Sequence, residues 1–261
     1  MEKIFGKHSA RAVFLARPHA VRRLILAGKE AYFKELFALA KQAGVEPELV
    51  DWGEFQRIGK FSEDEKHQGV CLFADPRPIL SEKDFDLLNE ARVVLMLDQV
   101  SNPQNLATIL RGAVFFGVDA VVLLKNRSVD VTPTVVRYAV GGAEFVHIFR
   151  VTNLVRSIET LKSMKYWIYG LDERGEKTLA QTGFEEKAAI IVGAEGEGLR
   201  RRVRGSCDFL VRIPGGRRGV ESLNAAVAAS IAIAEIFRQR VAGSDPKQVG
   251  NGLGTTKMVT V

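Results

Sequence analysis

An asparagine and an arginine that follow an apolar strand are the first residues whose types and spacing could do chemistry. Residues 97–117 read LDQVSNPQNLATILRGAVFFG, with Asn105 and Arg111 six positions apart. A strand ends at Asp98, an Asn-Pro pair turns the chain, and Asn105 can cap the helix that carries Arg111. The two side chains share neither a turn nor a face of that helix. Both can still reach the loop edge of a sheet if the helix begins there.

A glycine-rich turn supplies the second group of candidates. Residues 191–199 read IVGAEGEGL, and the glycines at 193, 196 and 198 allow a positive φ or a close approach of the backbone to a bound molecule. Glu195 and Glu197 stand where a new helix could begin. The glycines are spaced GxxGxG, which differs from the GxGxxG of dinucleotide-binding proteins, and no Walker GxxxxGKS/T motif occurs. By itself, such a turn is a weak signal of function.

A third loop joins a short strand to the last helix. Residues 213–224 read IPGGRRGVESLN, where Ser222, Leu223 and Asn224 open a helix whose alanine-rich face allows tight packing. Taken alone, this segment is a loop followed by a helix cap. With the glycine-rich turn it makes two consecutive strand-loop-helix units. Their loops reach the carboxyl edge of one sheet, where open α/β folds bind ligands.

The elements that must position these loops alternate between strand and helix. From residue 92, apolar runs such as VVLML, DAVVLL and YWIYGL are separated by helical patterns near 105–117, 134–141 and 154–164. The last helix is expected from Ser222 to about Arg240. This β-α order predicts a mostly parallel sheet with helices on both faces. We therefore expect an α/β protein with a small α/β unit at 1–75, a linker at 76–91, a parallel-sheet domain at 92–242 and a mobile tail at 243–261.

The N-terminal unit is expected to carry a basic surface. Its cations are Arg11, Arg17, Arg22, Arg23, Lys29, Lys60 and Lys66, and they accompany the turn His67-Gln68-Gly69. Two interpretations stay open, a solvated charged face and a face that docks RNA.

Composition limits the class of protein. With 261 residues, 46% of them hydrophobic, the chain can form one large or two ordinary domains with real cores. A net charge of +6 and a pI near 9.4 suit a polyanionic partner without requiring one. Cys71 and Cys207 lie far apart without a CxxC motif, which argues against a disulfide framework or a zinc site. Because the chain has neither a bilayer-long apolar run nor a signal-peptide core, we expect a cytoplasmic protein without metal or membrane partner.

In this order and spacing, the three motifs resemble the signature of the SpoU family of RNA ribose 2′-O-methyltransferases, within the SPOUT superfamily. The resemblance covers about residues 92–240. The N-terminal unit, with its His67-Gln68-Gly69, resembles the ribosomal-protein-like RNA-binding domain of the rRNA-modifying branch. The resemblance implies a C-terminal segment threaded into a trefoil knot, an exception to the rule that chains avoid knots. It also implies S-adenosylmethionine bound in that knot, RNA as substrate, and a homodimer with sites at the subunit interface.

The resemblance further implies roles for individual residues. Backbone around Leu171, Gly193, Ile213 and Leu223 would cradle the adenine and ribose of the cofactor, and Gly196 would let the chain approach it. The catalytic pocket would be formed by Arg111, Asn105, Glu195, Ser222 and Asn224, with Arg111 beside the target ribose.

Arg111 raises a question about mechanism. Because an arginine side chain keeps its proton in proteins, we expect Arg111 to bind the adjacent phosphate and stabilise oxyanion character rather than to act as a base.

The sequence departs from the family pattern at Ala107, where glycine is usual, and by one extra residue in the loop 214–218. The two arginines of that loop can contact RNA phosphates.

Other functions stay open at this point. A tRNA 2′-O-methyltransferase is the alternative substrate class, although the N-terminal unit favours rRNA. A catalytically silent RNA-binding or ribosome-assembly factor could keep the same fold; the altered loop 214–218 is its only support in the sequence, and the presence of Asn105, Arg111, Glu195 and Asn224 argues against it. A nucleotide-binding oxidoreductase is disfavoured by the missing GxGxxG.

Overall fold

The N-terminal part of the chain folds around a four-stranded sheet. The computed structural model describes residues 1–61, 66–215 and 222–243. Strands β1 (Glu2–Phe5), β2 (Val21–Ala27), β3 (Pro47–Val50) and β4 (Val70–Ala74) lie in the order β1-β4-β2-β3. β2 and β3 are parallel, whereas β4 is antiparallel to both β1 and β2. The sequence pattern does not predict β1, which has four residues and buries only two of them.

Helices cover both faces of this sheet. They are α1 (Lys7–Ala16), α2 (Lys34–Gln42) and α3 (Trp52–Gly59). Successive side chains of a strand point to opposite faces. Leu24 and Leu26 of β2 therefore pack in one cluster with α1 and α2, while Ile25 packs with Phe55 of α3 in another. The helical and strand periodicities in the sequence thus lead directly to a layered unit.

The prediction of a basic surface on this unit is partly wrong, because Arg17 is buried. Its guanidinium pairs with Glu144 of the second sheet domain, Nε to Oε2 at 2.8 Å, and with Glu2, Nη2 to Oε2 at 3.0 Å. Arg77 contacts the same Glu144 carboxylate at 2.5 Å, so a buried ion network joins the two sheets. The other arginines of the expected set, Arg11, Arg22 and Arg23, are exposed but paired with Glu35, Asp75 and Glu48. Lys29, Lys60 and Lys66 are exposed.

The second sheet has seven strands. They are β5 (Val93–Leu97), β6 (Ala120–Leu124), β7 (His147–Val151), β8 (Trp167–Leu171), β9 (Lys177–Thr178), β10 (Ala188–Val192) and β11 (Phe209–Arg212). Their order is β7-β6-β5-β10-β8-β11-β9, and every neighbouring pair is parallel. The predicted parallel-sheet α/β domain is confirmed.

Helices also lie on both faces of the second sheet. On one face are α4 (Pro103–Phe115), α5 (Pro133–Tyr138) and α8 (Ala225–Gly243), and on the other are α6 (Leu154–Ser163) and α7 (Arg201–Gly205). Alternation along β5 explains the division, because Val93, Leu95 and Leu97 belong to the first cluster, whereas Val94 and Met96 belong to the second. The domain therefore has two separate apolar cores with the sheet between them.

Three expected helix starts need correction. Helix α4 begins at Pro103, and its N-cap is Asn102, whose Oδ1 accepts the backbone N–H of Gln104 at 2.8 Å. Asn105 thus lies inside the first turn and is not the cap. No helix begins at Glu195 or Glu197, because α7 starts only at Arg201. The last helix begins at Ala225 rather than Ser222.

The segment between the two sheets packs against the second one. Leu80 forms a parallel bridge with Phe149 of β7, and a short 3-10 helix, Glu82–Leu88, begins with a capping box at Ser81. Phe85 and Leu88 of that helix are buried in the core on the α6 side. Among the residues that the structure describes, none of the helices is long and apolar enough to cross a membrane.

Candidate active site

The candidate site lies at the carboxyl edge of the second sheet, where two neighbouring strands send their connections in opposite directions. β5 leads through α4 to β6 on one side, and β10 leads through α7 to β11 on the other. In open α/β sheets such a switch point leaves a crevice outside the strand ends, where ligands bind. Side chains from α4, the glycine-rich loop and the start of α8 meet at this crevice.

Three of the predicted site residues form one hydrogen-bonded cluster there. Nδ2 of Asn105 donates to Oε1 of Glu195 at 2.7 Å, and Nδ2 of Asn224 donates to the same oxygen. Nδ2 of Asn224 also donates to Oδ1 of Asn105 at 3.0 Å. Within the described ranges, no side chain or backbone group donates to Oε2 of Glu195. That oxygen is therefore available to a ligand.

The last helix fixes the orientation of Asn224. Its Oδ1 accepts the backbone N–H groups of Ala226 at 2.9 Å and Val227 at 3.3 Å, which caps α8. Because the amide oxygen is engaged by the helix, the amide nitrogen points towards Glu195. The buried Asn105 supplies the second donor, so the carboxylate is held from two sides. Such positioning is what a substrate-binding carboxylate requires.

The glycine-rich loop is folded tightly back on itself. The backbone N–H of Gly198 donates to the carbonyl oxygen of Ala194 at 3.0 Å. A Cβ on Gly193 would lie 2.2 Å from the carbonyl carbon of Gly198, so only glycine fits. Gly196 has a φ of 79° and open space beside it, so its backbone conformation, rather than a close contact, requires glycine. The loop thus carries Glu195 on a compact, conformationally restricted turn.

Two ion pairs anchor the C-terminal end of this loop. The buried Asp98 accepts hydrogen bonds from the backbone N–H of Arg200 at 3.0 Å and from its Nε at 2.7 Å. Arg204 donates through Nε to Asp172 at 2.6 Å and through Nη2 to the carbonyl oxygen of Leu199 at 3.2 Å. Sequence reasoning missed these anchors. The available signal was the aspartate that directly follows each of two strands, together with the arginines after the loop.

A polar cleft of about 490 Å³ lies beside Glu195 and was not expected from the sequence. The residues that line it come from the loops after β5, β6 and β10, namely Gln99, Ser101, Arg127, Ser128, Val129, Ala194, Glu195 and Glu197. Gln99 and Arg127 adopt positive φ values of 66° and 61°. The cleft is therefore built by β5 and β10, the two strand ends that form the switch point, together with the end of β6.

Arg111 is not part of the Asn105–Glu195–Asn224 cluster. It lies six positions after Asn105, about 9 Å further along the helix axis and on a different face. It lines another cleft, of about 520 Å³, with Gly142, Phe145 and Ser230. In the part of the chain that the structure describes, the side chain of Arg111 has no hydrogen bond or ion pair. The single chain thus brings together three of the five predicted catalytic residues.

Three of the predicted cofactor residues lie at the ends of β8, β10 and β11, whereas the polar cleft is built by the loops after β5, β6 and β10. Leu171 ends β8, Gly193 follows β10 and Ile213 follows β11, at the carboxyl ends of three neighbouring strands. Leu171 and Ile213 are partly buried, whereas Leu223 is 46% exposed. Ser222 is exposed and outside the cluster. Gly216, Arg217, Arg218 and Glu221 lie outside the described residues, as does the expected tail beyond Gly243.

The thiol of Cys207, which follows α7, is protected by burial. Burial raises the pKa of Cys207 to about 12, and its Sγ donates to the carbonyl oxygen of Val203 at 3.4 Å. Ala107, where the resemblance leads one to expect glycine, is on the buried face of α4. In the described ranges, no group of three or more His, Cys, Asp or Glu side chains could hold a metal ion.

Comparison with protein families gives matches over both units. The model described as the SpoU rRNA Methylase family matches residues 92–234. The model described as RNA 2′-O ribose methyltransferase substrate binding matches residues 3–80.

Comparison with individual proteins agrees with these matches. The chain is 36% identical over 248 residues to the 23S rRNA (guanosine-2′-O-)-methyltransferase RlmB of Coxiella burnetii, covering 93% of this chain and 97% of that protein. It is 35% identical to the protein of the same name from Salmonella typhimurium, covering 92% and 99%. The fold resembles the crystal structure of the SpoU methyltransferase AviRb from Streptomyces viridochromogenes in complex with AdoMet, with a TM-score of 0.73, 24% identity and coverage of 93% and 91%.

Proposed function

The chain belongs to the SpoU rRNA methylase family, and we propose that it transfers the methyl group of S-adenosylmethionine to the ribose 2′-hydroxyl of a guanosine in rRNA. The names of the relatives from Coxiella burnetii and Salmonella typhimurium specify that reaction and that RNA. The observation that carries the proposal is the Asn105–Glu195–Asn224 cluster at the switch-point crevice, because it presents an oriented carboxylate beside the expected cofactor loops.

The residues on the β8 and β11 side of the crevice fit S-adenosylmethionine. Leu171, Ile213 and Leu223 offer partly exposed apolar surface for an adenine ring, and the open space beside Gly196 leaves room for the ligand. When bound, S-adenosylmethionine supplies an electrophilic methyl group. The ion pairs Asp98–Arg200 and Asp172–Arg204 hold the loop that would contact it.

We assign Glu195 the task of orienting the attacking 2′-hydroxyl. Its Oε2 accepts the hydrogen bond of that hydroxyl and takes the proton as the oxygen attacks, a contribution of roughly 10²–10⁴ in rate for general bases. The two amide donors on Oε1 keep the carboxylate from rotating away. The chain thereby positions the 2′-hydroxyl and supplies an acceptor for its proton.

We propose that Arg111 acts in a homodimer. Val227 and Ile231 are exposed one turn apart on α8, Leu223 is exposed just before that helix, and Phe115 on α4 is 58% exposed. Exposed apolar surface of this kind is typical of a subunit interface. Dimerisation through these helices would enclose the cleft of Arg111, where its guanidinium would bind the phosphate next to the target ribose. Sedimentation analysis of the full chain tests the dimer directly.

We also propose the trefoil knot. In the sheet, β11 lies between β8 and β9, although β9 follows β8 directly in the chain. The connection from β8 to β9 therefore passes over the later strand. Its Gly175 packs so closely on β11 that a Cβ there would lie 2.6 Å from the backbone nitrogen of Arg212. This arrangement supports threading of the C-terminal segment beneath an earlier loop.

We propose that the N-terminal unit is a ribosomal-protein-like domain that binds the RNA substrate. Trp52 and Tyr32 are 53% and 63% exposed, so their rings can stack on unpaired bases. Oε1 of Gln68 accepts the backbone N–H of Lys7 at 3.1 Å, and Nζ of Lys7 donates to the carbonyl oxygen of Tyr32 at 3.2 Å. An rRNA substrate places the protein in the cytoplasm, which we propose as its compartment.

Transfer of radiolabelled methyl from S-adenosylmethionine to unmodified rRNA, and separately to tRNA, tests the function. Alkaline hydrolysis cannot cleave beside a 2′-O-methyl group, so label in resistant dinucleotides of rRNA would support the proposal. Label in tRNA alone would favour the other substrate class. Cofactor binding without transfer to either RNA would contradict the proposal, and absence of both binding and transfer would favour a silent RNA-binding factor.

A further inference from the structure

The cleft beside Glu195 has the size and position of a nucleotide-binding site. Its volume of about 490 Å³ falls within the range of roughly 300–1,000 Å³ typical of small-molecule sites. Glu195 lines it and also belongs to the cluster that would hold the reacting ribose. A base bound in the cleft and a ribose bound at Glu195 can therefore belong to the same nucleotide.

Two polar atoms in the cleft wall lack the partners that buried polar atoms need. Nε2 of Gln99 and Oγ of Ser128 are inaccessible to solvent and make no hydrogen bond to any residue in the described ranges. Most buried polar side-chain atoms in proteins have a partner, and an exception needs an explanation. A ligand in this cleft would give both groups a partner once their side chains turn towards it.

The backbone at Gln99 and at Arg127, which directly precedes Ser128, is held in an unfavourable conformation. Gln99 and Arg127 have φ values of 66° and 61°, which side chains with a Cβ rarely adopt. Gln99 stands between Asp98, held by Arg200, and the buried Val100, whose carbonyl oxygen accepts the N–H of Val129 at 3.1 Å. Such backbone outliers, maintained by their surroundings, concentrate at ligand sites.

The charged groups of the cleft indicate what kind of ligand fits. Glu197 is exposed at the cleft and has no ion pair or hydrogen bond within the described part of the chain. With Glu195 nearby, the interior carries carboxylates and would repel a phosphate. Arg127, also exposed, is the cation among the residues that line the cleft. The interior therefore favours a neutral group that donates hydrogen bonds, while Arg127 suits a phosphate at the rim.

We propose that this cleft binds the guanine base of the acceptor nucleotide and that Glu197 determines specificity for guanine; this inference rests on the proposed function. Guanine presents N1–H and N2–H side by side, and a carboxylate accepts both at once. Adenine, cytosine and uracil each present an acceptor where guanine presents one of these donors, so they leave the carboxylate with a repulsive contact. RNA-binding proteins commonly read unstacked bases on this edge.

Gln99 completes the pattern that Glu197 begins. O6 of guanine adjoins N1, so Nε2 of Gln99 can donate to O6 once its side chain turns into the cleft, while Glu197 accepts from N1 and N2. The protein then offers a donor at Gln99 beside an acceptor at Glu197. Among the four bases, only guanine has the complementary groups in this order. Glu197 and Gln99 are specificity residues in this scheme, whereas Glu195 contacts the reacting ribose.

Methyl transfer to a 23S rRNA transcript by Glu197→Gln tests this inference. The amide would place a donor against the donors of guanine. We expect kcat/KM for the RNA to fall about 10- to 100-fold, the discrimination supplied by one bidentate base contact. Glu197→Asp, which keeps the carboxylate, should recover part of the activity. The control Glu159→Gln removes the same charge from the exposed surface of α6 and should match the unaltered protein.

The outcomes separate this inference from the proposed function. S-adenosylmethionine affinity, measured by calorimetry, should be unchanged in Glu197→Gln, and the unaltered protein should place label in guanosine alone. Unchanged kcat/KM in the variant, a matching loss of cofactor affinity, or label in another nucleotide would each overturn the role of Glu197 while the methyltransferase function stands. Absence of transfer by the unaltered protein would overturn the proposed function, and the inference with it.

Discussion

Asn224 has two tasks that substitution can separate. Its Oδ1 caps α8 by accepting two backbone N–H groups, and its Nδ2 donates to Oε1 of Glu195. Serine retains an oxygen that caps helices well but has no amide nitrogen. Asn224→Ser therefore removes the contact with the carboxylate and keeps the cap, whereas Asn224→Ala removes both. We expect the two variants to differ in stability and to share a defect in methyl transfer.

The expected magnitudes follow from these contacts. Loss of an Asn N-cap to alanine costs about 1 kcal/mol of stability, so Asn224→Ala should unfold at lower urea concentration and Asn224→Ser should change little. A hydrogen bond to a charged group contributes about 1.5–3 kcal/mol. Asn105 still donates to the carboxylate at 2.7 Å, so the lower figure applies. At about 1.4 kcal/mol per factor of ten, both variants should lose roughly tenfold in kcat.

The assay compares methyl transfer with urea unfolding in the same preparations. Asn153 is a matched control, because its Oδ1 caps α6 by accepting the N–H groups of Val155 at 3.0 Å and Arg156 at 3.3 Å. Asn153→Ala should lose about 1 kcal/mol of stability and keep its kcat. Wild-type kcat in a stable Asn224→Ser protein would refute the view that this amide orients a catalytic carboxylate.

Three further predictions concern the network between the sheets, the glycine-rich loop and acid stability. Glu144→Ala leaves the buried Arg17 and Arg77 with Glu2 as their remaining carboxylate partner among the described residues and should cost about 3 kcal/mol of unfolding free energy, the lower end for breaking a buried pair, whereas Glu35→Ala, in an exposed pair, should cost about 0–1 kcal/mol in the same urea titration. Gly193→Ala places a Cβ 2.2 Å from the carbonyl carbon of Gly198, and should lower stability by about 1–3 kcal/mol and weaken S-adenosylmethionine binding in calorimetry; unchanged affinity would separate the loop from the cofactor. Arg238 lowers the pKa of Glu235 from 4.5 to about 2, so the stability from this pair is complete above pH 4.5 and is lost as the pH falls towards 2. Unfolding measured between pH 5 and pH 3 should therefore depend less on pH in Glu235→Gln, and an identical slope would contradict the assignment.

The elements and their order followed from local patterns in the sequence. Apolar runs at 93–97, 120–124 and 188–192 became buried parallel strands, and the intervening helical periodicities became α4 and α6. Boundaries were less predictable. Asn105 and Asn102 are both residues that cap helices well, and the distinction depends on whether Pro103 lies inside the first turn, which it does.

The resemblance to a family brought together residues that local patterns leave separate. Asn105, Glu195 and Asn224 were predicted to share a pocket, and the structure places them within hydrogen-bonding distance of one another. Their catalytic roles stay a prediction. Arg111 was expected beside the same ribose, but in the single chain it lines a different cleft. A second subunit has to supply what one chain does not, if the dimer forms as proposed.

The sequence by itself determined the α/β class, the parallel sheet and the three loops that deliver polar side chains to its carboxyl edge, because each depends on hydrophobic periodicity or on residue preferences within a few positions. Only the tertiary structure decided the rest. The order β6-β5-β10 sets which strand ends are neighbours, and therefore which loops share the cleft of Gln99, Ser128 and Glu197. The burial of Arg17 likewise depends on Glu144, 127 positions away. Contacts between distant segments arise from packing and strand order, and neither is encoded in any short stretch of the chain.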